Sequence, residues 1–151
     1  MLYREGGRDG NPRGHGASPA ASWVLSACCC AGIILLRHQN PHRSRERLAV
    51  SDTPRVALIQ FPGSNCEWET KRAAEAAGLV CDVFRWNRDP AVLAEYEGYI
   101  IGGGFSYQDR VRSGAIAAKE PIVKQVFQEV CENGKPCLGI CNGAQVLVEA
   151  G

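Results

Sequence analysis

Near the carboxyl end of this 151-residue chain a cysteine stands between two glycines, in Gly139-Ile140-Cys141-Asn142-Gly143. A thiol held outward on a sharp strand-to-helix turn can attack a carbonyl carbon and form a thioester. Such a turn forces unusual backbone angles and leaves little room beside the nucleophile. Glycines two residues to either side remove the Cβ atoms that would clash there. A helix starting after Cys141 points its free N–H groups at the sulfur, the setting of a reactive cysteine. The amide of Asn142 then faces an oxyanion forming on a bound carbonyl. The competing reading is a buried cysteine on a glycine-rich turn, and these five residues alone leave the two open.

A second group adds to this. Gly102-Gly103-Gly104-Phe105-Ser106-Tyr107-Gln108-Asp109 follows the apolar run Gly98 to Ile101. Its backbone amides can sit beside the elbow, with Gly103 or Gly104 as the other oxyanion donor. In isolation three glycines make a plain turn; beside the strand that carries Cys141 they make half of one site.

The elements that must position these residues follow from the pattern of the chain. Arg55 to Phe61 is a run of strand formers closed by Pro62-Gly63, as suits a strand buried on both faces. Ser64 or Asn65 is expected to cap a helix that runs to Gly78. Trp68, Ala73, Ala76 and Ala77 are placed on one face of it, with Glu67, Glu69, Lys71 and Arg72 on the solvated one. Leu79 to Trp86 reads as a second strand, Ala91 to Tyr96 as a short helix, and Gly98 to Ile101 as a third strand. A longer helix from Pro121 ends at Asn133-Gly134. Pro136 to Ile140 is the fourth strand, and Asn142 opens another helix. The alternation of strands and helices predicts an α/β, flavodoxin-like fold: a parallel sheet with helices on both faces. Sites in such sheets form at the carboxyl ends of the strands. Three loops would meet there: Phe61 to Glu67, Gly102 to Gly114 and Cys141 to Gln145.

Composition divides the chain in two. Up to Thr53 there are seven arginines, no lysine and four acids, a net charge of +3. From Pro54 onward ten Lys/Arg face twelve Asp/Glu, a net charge of −2. Residues 1–53 are rich in Gly, Pro, Ser and Arg and hold one apolar run, Ala20 to Leu36, too short for a comfortable membrane span. They are expected to be a disordered or non-native extension, with a targeting presequence behind Arg4, Arg8 and Arg13 as the alternative. They are expected to contribute nothing to the fold, which is read from residues 54–151. The eight cysteines do not make a metal site. Cys28, Cys29 and Cys30 are adjacent, and Cys131, Cys137 and Cys141 lack CxxC pairs and a nearby histidine. Cys66, Cys81, Cys131 and Cys137 are read as reduced thiols packed mostly as small apolar groups.

RVALIQFPGSNCE from Arg55, GGGFSYQDRVRSGAIAA from Gly102 and CLGICNGAQVL from Cys137 together resemble the class I (triad) glutamine amidotransferases. Within that class they resemble the glutaminase subunits of phosphoribosylformylglycinamidine synthase. The resemblance spans Arg55 to Gly151. It implies that Cys141 attacks the side-chain amide of glutamine and that Asn142 with Gly103 or Gly104 forms the oxyanion hole. Gln145 would hold the substrate, and Phe105 and Ser106 would line the pocket. Gln108 stands where the family commonly has glycine. The reaction implied is hydrolysis of glutamine to glutamate and ammonia. The ammonia serves an ATP-dependent conversion of formylglycinamide ribonucleotide to its amidine in purine biosynthesis. Partners implied are the synthetase subunit and a small accessory subunit, in the cytoplasm, without nucleic acid or membrane. ATP and Mg belong to the synthetase, and this chain, which has no P-loop, needs no cofactor of its own.

The family takes its histidine and glutamate from a segment after the elbow helix. Here four residues follow Leu147 and no histidine follows His42. The expectation is an incomplete domain, truncated before its base, with its last strand left as a sheet edge and little activity alone. Two rival readings remain. A redox sensor or small-aldehyde enzyme with a cysteine elbow would explain the lack of histidine, and a non-catalytic binding domain would explain the glycine loops. Neither explains the Phe61 to Glu67 loop together with Gly102 to Asp109.

Overall fold

The computed structural model describes residues 22–28, 33–39 and 53–151. Arg4, Arg8, Arg13 and most of the presumed extension lie outside the described residues, and the disorder and targeting expectations for them lie there too. Among the described residues, six strands form one sheet: β1 Ser22–Cys28, β2 Ile33–Gln39, β3 Arg55–Gln60, β4 Val80–Arg85, β5 Gly98–Ile101 and β6 Cys137–Ile140. Their order across the sheet is β1-β2-β6-β5-β3-β4. β3 pairs in parallel with β4 and β5, and β5 in parallel with β6, so the four strands read from the sequence form the expected parallel sheet. The helices are α1 Glu67–Ala76, α2 Pro121–Asn133 and α3 Asn142–Ala150. None is long and apolar enough to cross a membrane.

Alternation along the strands divides the core between two faces. Ala57, Ile59, Tyr99, Ile101 and Cys137 pack with Ile122, Val126 and Val130 of α2 and Val146 and Leu147 of α3. Val56, Leu58, Cys81 and Ile100 face the other way, toward Ala74 of α1. Helices therefore cover both faces, but unequally. The α2–α3 face holds the larger core, which includes the fully buried rings of Tyr99 and Phe84.

Four local expectations need correction. The cap of α1 is Cys66, which makes no side-chain cap bond. Ser64 is drawn away because it bridges to Gly104, and its Oγ accepts from the Phe61 N–H at 3.1 Å. The inner face of α1 is not the one expected either: Trp68 is 65% exposed and only Ala74 is buried. The helix has no large apolar stripe, so polar bonds add to the packing of Ala74 on the sheet. Gln60 donates to Glu67 Oε1 at 2.7 Å, and Lys71 donates to the Cys81 carbonyl while pairing with Glu75 at 2.8 Å. The short helix after Pro90 is a 3-10 segment, Pro90–Glu95, started by Asp89, whose carboxylate accepts from the Ala91 N–H at 3.0 Å. Six residues are too few to repay a full α-helical nucleus.

The fourth correction concerns the region before Pro54, which the sequence reading left out of the fold. β2 lies antiparallel on β6, with Ile33 opposite Ile140 and Leu36 opposite Cys137. Ile34 and Leu36 pack against the larger core. β1 pairs in turn with β2. The strand that leads to Cys141 is thus an interior strand rather than an edge. The apolar residues of Ala20 to Leu36 satisfy strand as well as helix patterns, and a short apolar run cannot tell them apart by period alone.

Candidate active site

The site sits at the carboxyl ends of β3, β5 and β6, where the three loops meet. The Phe105 N–H donates to the Gly63 carbonyl at 2.9 Å, and the Asn65 N–H to the Gly103 carbonyl at 3.3 Å. The Ser106 N–H donates to Asn142 Oδ1 at 3.0 Å, which joins the glycine loop to the elbow.

Cys141 has φ 52° and ψ −113°, a conformation that side chains other than glycine rarely adopt. It is exposed. Strain of this kind persists only where the surroundings impose it, and here both glycines do so. A Cβ on Gly143 would overlap the Ile101 carbonyl. One on Gly139 would lie 2.7 Å from Leu147 Cδ1 and 2.9 Å from the Ala144 nitrogen. The close crossing of β5, β6 and α3 therefore depends on the glycines named by the spacing. The Cys141 carbonyl accepts from Ala144 and Gln145 at 3.0 and 3.2 Å. The N–H groups of Asn142 and Gly143 fall before that ladder and are available at the helix start.

Of the two candidate oxyanion glycines, Gly103 adjoins Cys141. A Cβ built on it would lie 3.5 Å from Cys141 Cβ and 3.7 Å from Cys66 Sγ. Gly104, at φ 134°, is packed instead against Ser64 and Asn65 of the first loop. Gln145 lies one turn beyond Cys141 on α3, exposed at the surface of the site. Ser106 is buried, its Oγ without a partner among the described residues, whereas the Phe105 ring is 59% exposed.

Several participants were not visible in the sequence. Cys66 is exposed and its sulfur lies beside Gly103, so it is not a packed thiol; Cys131 is exposed too, while Cys81 and Cys137 are buried as expected. Asn142 is 97% buried and its carboxamide, not only its backbone amide, belongs to the site. Its Nδ2 donates to Asp109 Oδ1 at 3.2 Å and to Gln145 Oε1 at 3.1 Å. The loop between Ser106 and Gly114 carries unusual strain, with positive φ at Tyr107, Gln108, Asp109 and Val111. Three anchors hold it. Tyr107 donates to Glu120 Oε1 at 2.6 Å, and burial together with that carboxylate pushes the phenol's pKa up. Arg112 makes a two-pronged pair with Glu149 of α3, at 2.7 and 2.6 Å, which holds the Glu149 carboxyl below its usual range. Gly114, at φ 79°, lies so close to Val146 that a Cβ would come within 2.7 Å of its nitrogen.

A depression of about 270 Å³ is lined by Pro62, Gly63, Tyr107, Gln108, Arg110 and Ile116. Neither Cys141 nor α3 contributes to it, so it is distinct from the surroundings of Cys141. Among the described residues no group of His, Cys, Asp and Glu has the makings of a metal site.

A phosphoribosylformylglycinamidine synthase subunit PurQ from Methanothrix thermoacetophila is 57% identical over 97 residues, 64% of this chain and 37% of that protein. The subunit of the same name from Pyrococcus furiosus is 45% identical over 97 residues, covering 64% of this chain and 42% of its own length. This chain thus spans about two fifths of these relatives. A chain in the structure of PurLQS from Thermotoga maritima superposes with a TM-score of 0.57 at 36% identity, over 66% of this chain and 45% of that one. Residues 53–151, which include both glycine loops and the strained cysteine, match the family model of the CobB/CobQ-like glutamine amidotransferase domain. The chain belongs to that family of glutamine amidotransferases.

Proposed function

We propose that Cys141 is the nucleophile of a glutaminase that supplies ammonia to a phosphoribosylformylglycinamidine synthase. The observation that carries this reading is the strained backbone of Cys141 at the β6–α3 junction, with Gly103 against it. The thiolate attacks the side-chain amide carbon of glutamine, and the resulting oxyanion is met by the N–H groups of Asn142 and Gly103. Collapse breaks the C–N bond and releases ammonia, leaving a γ-glutamyl thioester that water cleaves to glutamate. The names of the relatives support formylglycinamide ribonucleotide as the substrate of the wider reaction. A synthetase subunit uses the ammonia and binds ATP and magnesium, a small accessory subunit completes the assembly, and the work is done in the cytoplasm.

Ammonia departs as a neutral molecule only if a group protonates it, and the triad of this class uses histidine for that. Residues 54–151 contain none. A polypeptide of residues 54–151 alone is therefore expected to turn over glutamine very slowly, since general acid–base help contributes about 10²–10⁴-fold. The first half-reaction is better tested by trapping. The diazoketone analogue of glutamine should label Cys141 saturably, glutamine should compete, and Cys141→Ala should abolish labelling. Labelling that glutamine does not slow would overturn the assignment in favour of a redox or binding role.

A further inference from the structure

Glutamine and asparagine amides look alike from either side, and which end faces a ligand decides whether the residue offers a donor or an acceptor. In this site the choice is forced by neighbours. The Ser106 backbone N–H can only donate, and it meets Asn142 Oδ1 at 3.0 Å. The Asp109 carboxylate can only accept, and it meets Asn142 Nδ2 at 3.2 Å. Asn142 cannot be turned over without placing N–H against N–H and oxygen against oxygen, and at 97% buried it has no water to compensate. The second hydrogen of Nδ2 is thereby directed at Gln145, whose Oε1 receives it at 3.1 Å. Gln145 is exposed, so its Nε2 is the end left to the solvent side of α3.

We propose that the Asn142 carboxamide is a positioning residue that fixes the amide of Gln145 with its N–H₂ toward the ligand, so that the site selects a ligand with an acceptor oxygen there, such as an amino-acid carboxylate. The inference rests on the glutaminase reading, and on Gln145 as a substrate-holding residue. It also gives a reason for the strain in the loop. Asp109 reaches Asn142 from a residue at φ 52°, and the loop is held in that shape by Tyr107 with Glu120 and by Arg112 with Glu149. Ser106, Asp109, Asn142 and Gln145 form one chain of donors and acceptors in which each amide's direction is set by the one before.

The test measures KI and kinact for labelling of Cys141 by the diazoketone analogue of glutamine, using the full chain. Gln145→Glu can still accept from Asn142 but offers the ligand no N–H and sets a carboxylate against the ligand's own, and is expected to raise KI more than the roughly tenfold effect of one lost hydrogen bond. Asn142→Ala is expected to raise KI by that roughly tenfold factor. The double variant should be no worse than Gln145→Glu alone, because Asn142 acts on the ligand through Gln145. Asp109→Ala should raise KI too, and Asp109→Asn, which keeps an oxygen for Nδ2, should recover most of the loss. The two Asp109 variants decide the matter if Asn142→Ala does not fold. Factors that multiply in the double variant, or a KI that Asp109→Ala leaves unchanged, would overturn the proposal while leaving the glutaminase reading intact. Failure of the unsubstituted chain to label, or labelling that glutamine does not compete, would overturn both.

Discussion

Glu129 of α2 is 4% exposed, and its carboxylate lies 2.7 Å from the ammonium of Lys135, beyond the turn that leads into β6. Asn133 and Gln125 also donate to it, at 2.8 and 3.2 Å, and Lys135 donates on to the Ala94 carbonyl at 2.8 Å. Burial alone would raise this carboxyl's pKa, but the hydrogen bonds and the charge of Lys135 outweigh it and hold it below the usual range. A carboxyl lowered on folding stabilises the fold above its unfolded value, about 4.3 for glutamate, and the contribution is lost as pH falls through the folded value. Glu129→Ala is expected to cost about 2–3 kcal/mol near neutrality by stranding a half-buried ammonium. The cost should shrink below about pH 4. Urea unfolding of both forms at several pH values checks this; a cost independent of pH would assign it to packing alone.

Gln108 has φ 61°, in the region that glycine adopts freely and other residues at a penalty of roughly 1–2 kcal/mol. Its side chain makes one exposed bond, from Arg110 at 2.9 Å. Gln108→Gly should therefore stabilise the chain by about 0.5–1 kcal/mol, after allowing for glycine's freedom when unfolded. Gln108→Val should destabilise it. Thermal melts of the three forms suffice, and a glycine variant that melts lower would show that the side chain contributes more than its one bond.

The five cysteines after Pro54 should separate in their reaction with iodoacetamide. Cys141 is exposed at a helix start and is expected to react first, with Cys66, exposed beside Gly103, as its nearest competitor. Burial pushes the Cys137 thiol up to about 12, so it should react only on unfolding. Mass spectrometry after a brief exposure gives the order, and Cys66 or Cys137 ahead of Cys141 would count against the elbow as the reactive site.

Removal of residues 1–53 should lower the melting temperature by several degrees, because Ile34 and Leu36 leave the core and β6 loses its antiparallel neighbour. The bared edge of β6 offers unpaired N–H and carbonyl groups to another chain. The shortened form is therefore expected to self-associate by light scattering. A monomer of unchanged stability would return the region before Pro54 to the status the sequence suggested.

The parts of the molecule that follow from period and punctuation were legible. β3, β5, β6 and α2 begin and end where apolar runs meet Pro62, Gly102, Cys141 and Gly134, and Gly139 and Gly143 predicted a crossing too tight for side chains. What was not legible depends on partners distant in sequence. Ser64 is a plausible helix cap until Gly104 pairs with it, and Lys71 reads as solvated until the Cys81 carbonyl appears above it. The carboxamide of Asn142 could not be placed in the site, because its partners Ser106 and Asp109 come from a loop whose shape rests on four left-handed residues without glycine's signature.

The contact of Gly143 with the Ile101 carbonyl has a consequence for the temperature dependence of the chemistry. Cys141 takes its position from two neighbouring strands at once, since β5 holds the helix start and β6 delivers the residue itself. A thiol fixed in this way has little orientational freedom left to lose when a carbonyl is brought into line with it. The activation entropy for attack on a bound amide analogue should accordingly resemble that of an intramolecular reaction, with the barrier almost wholly enthalpic. Loosening the crossing with a side chain at position 143 should shift the balance toward an unfavourable entropy before it abolishes the reaction.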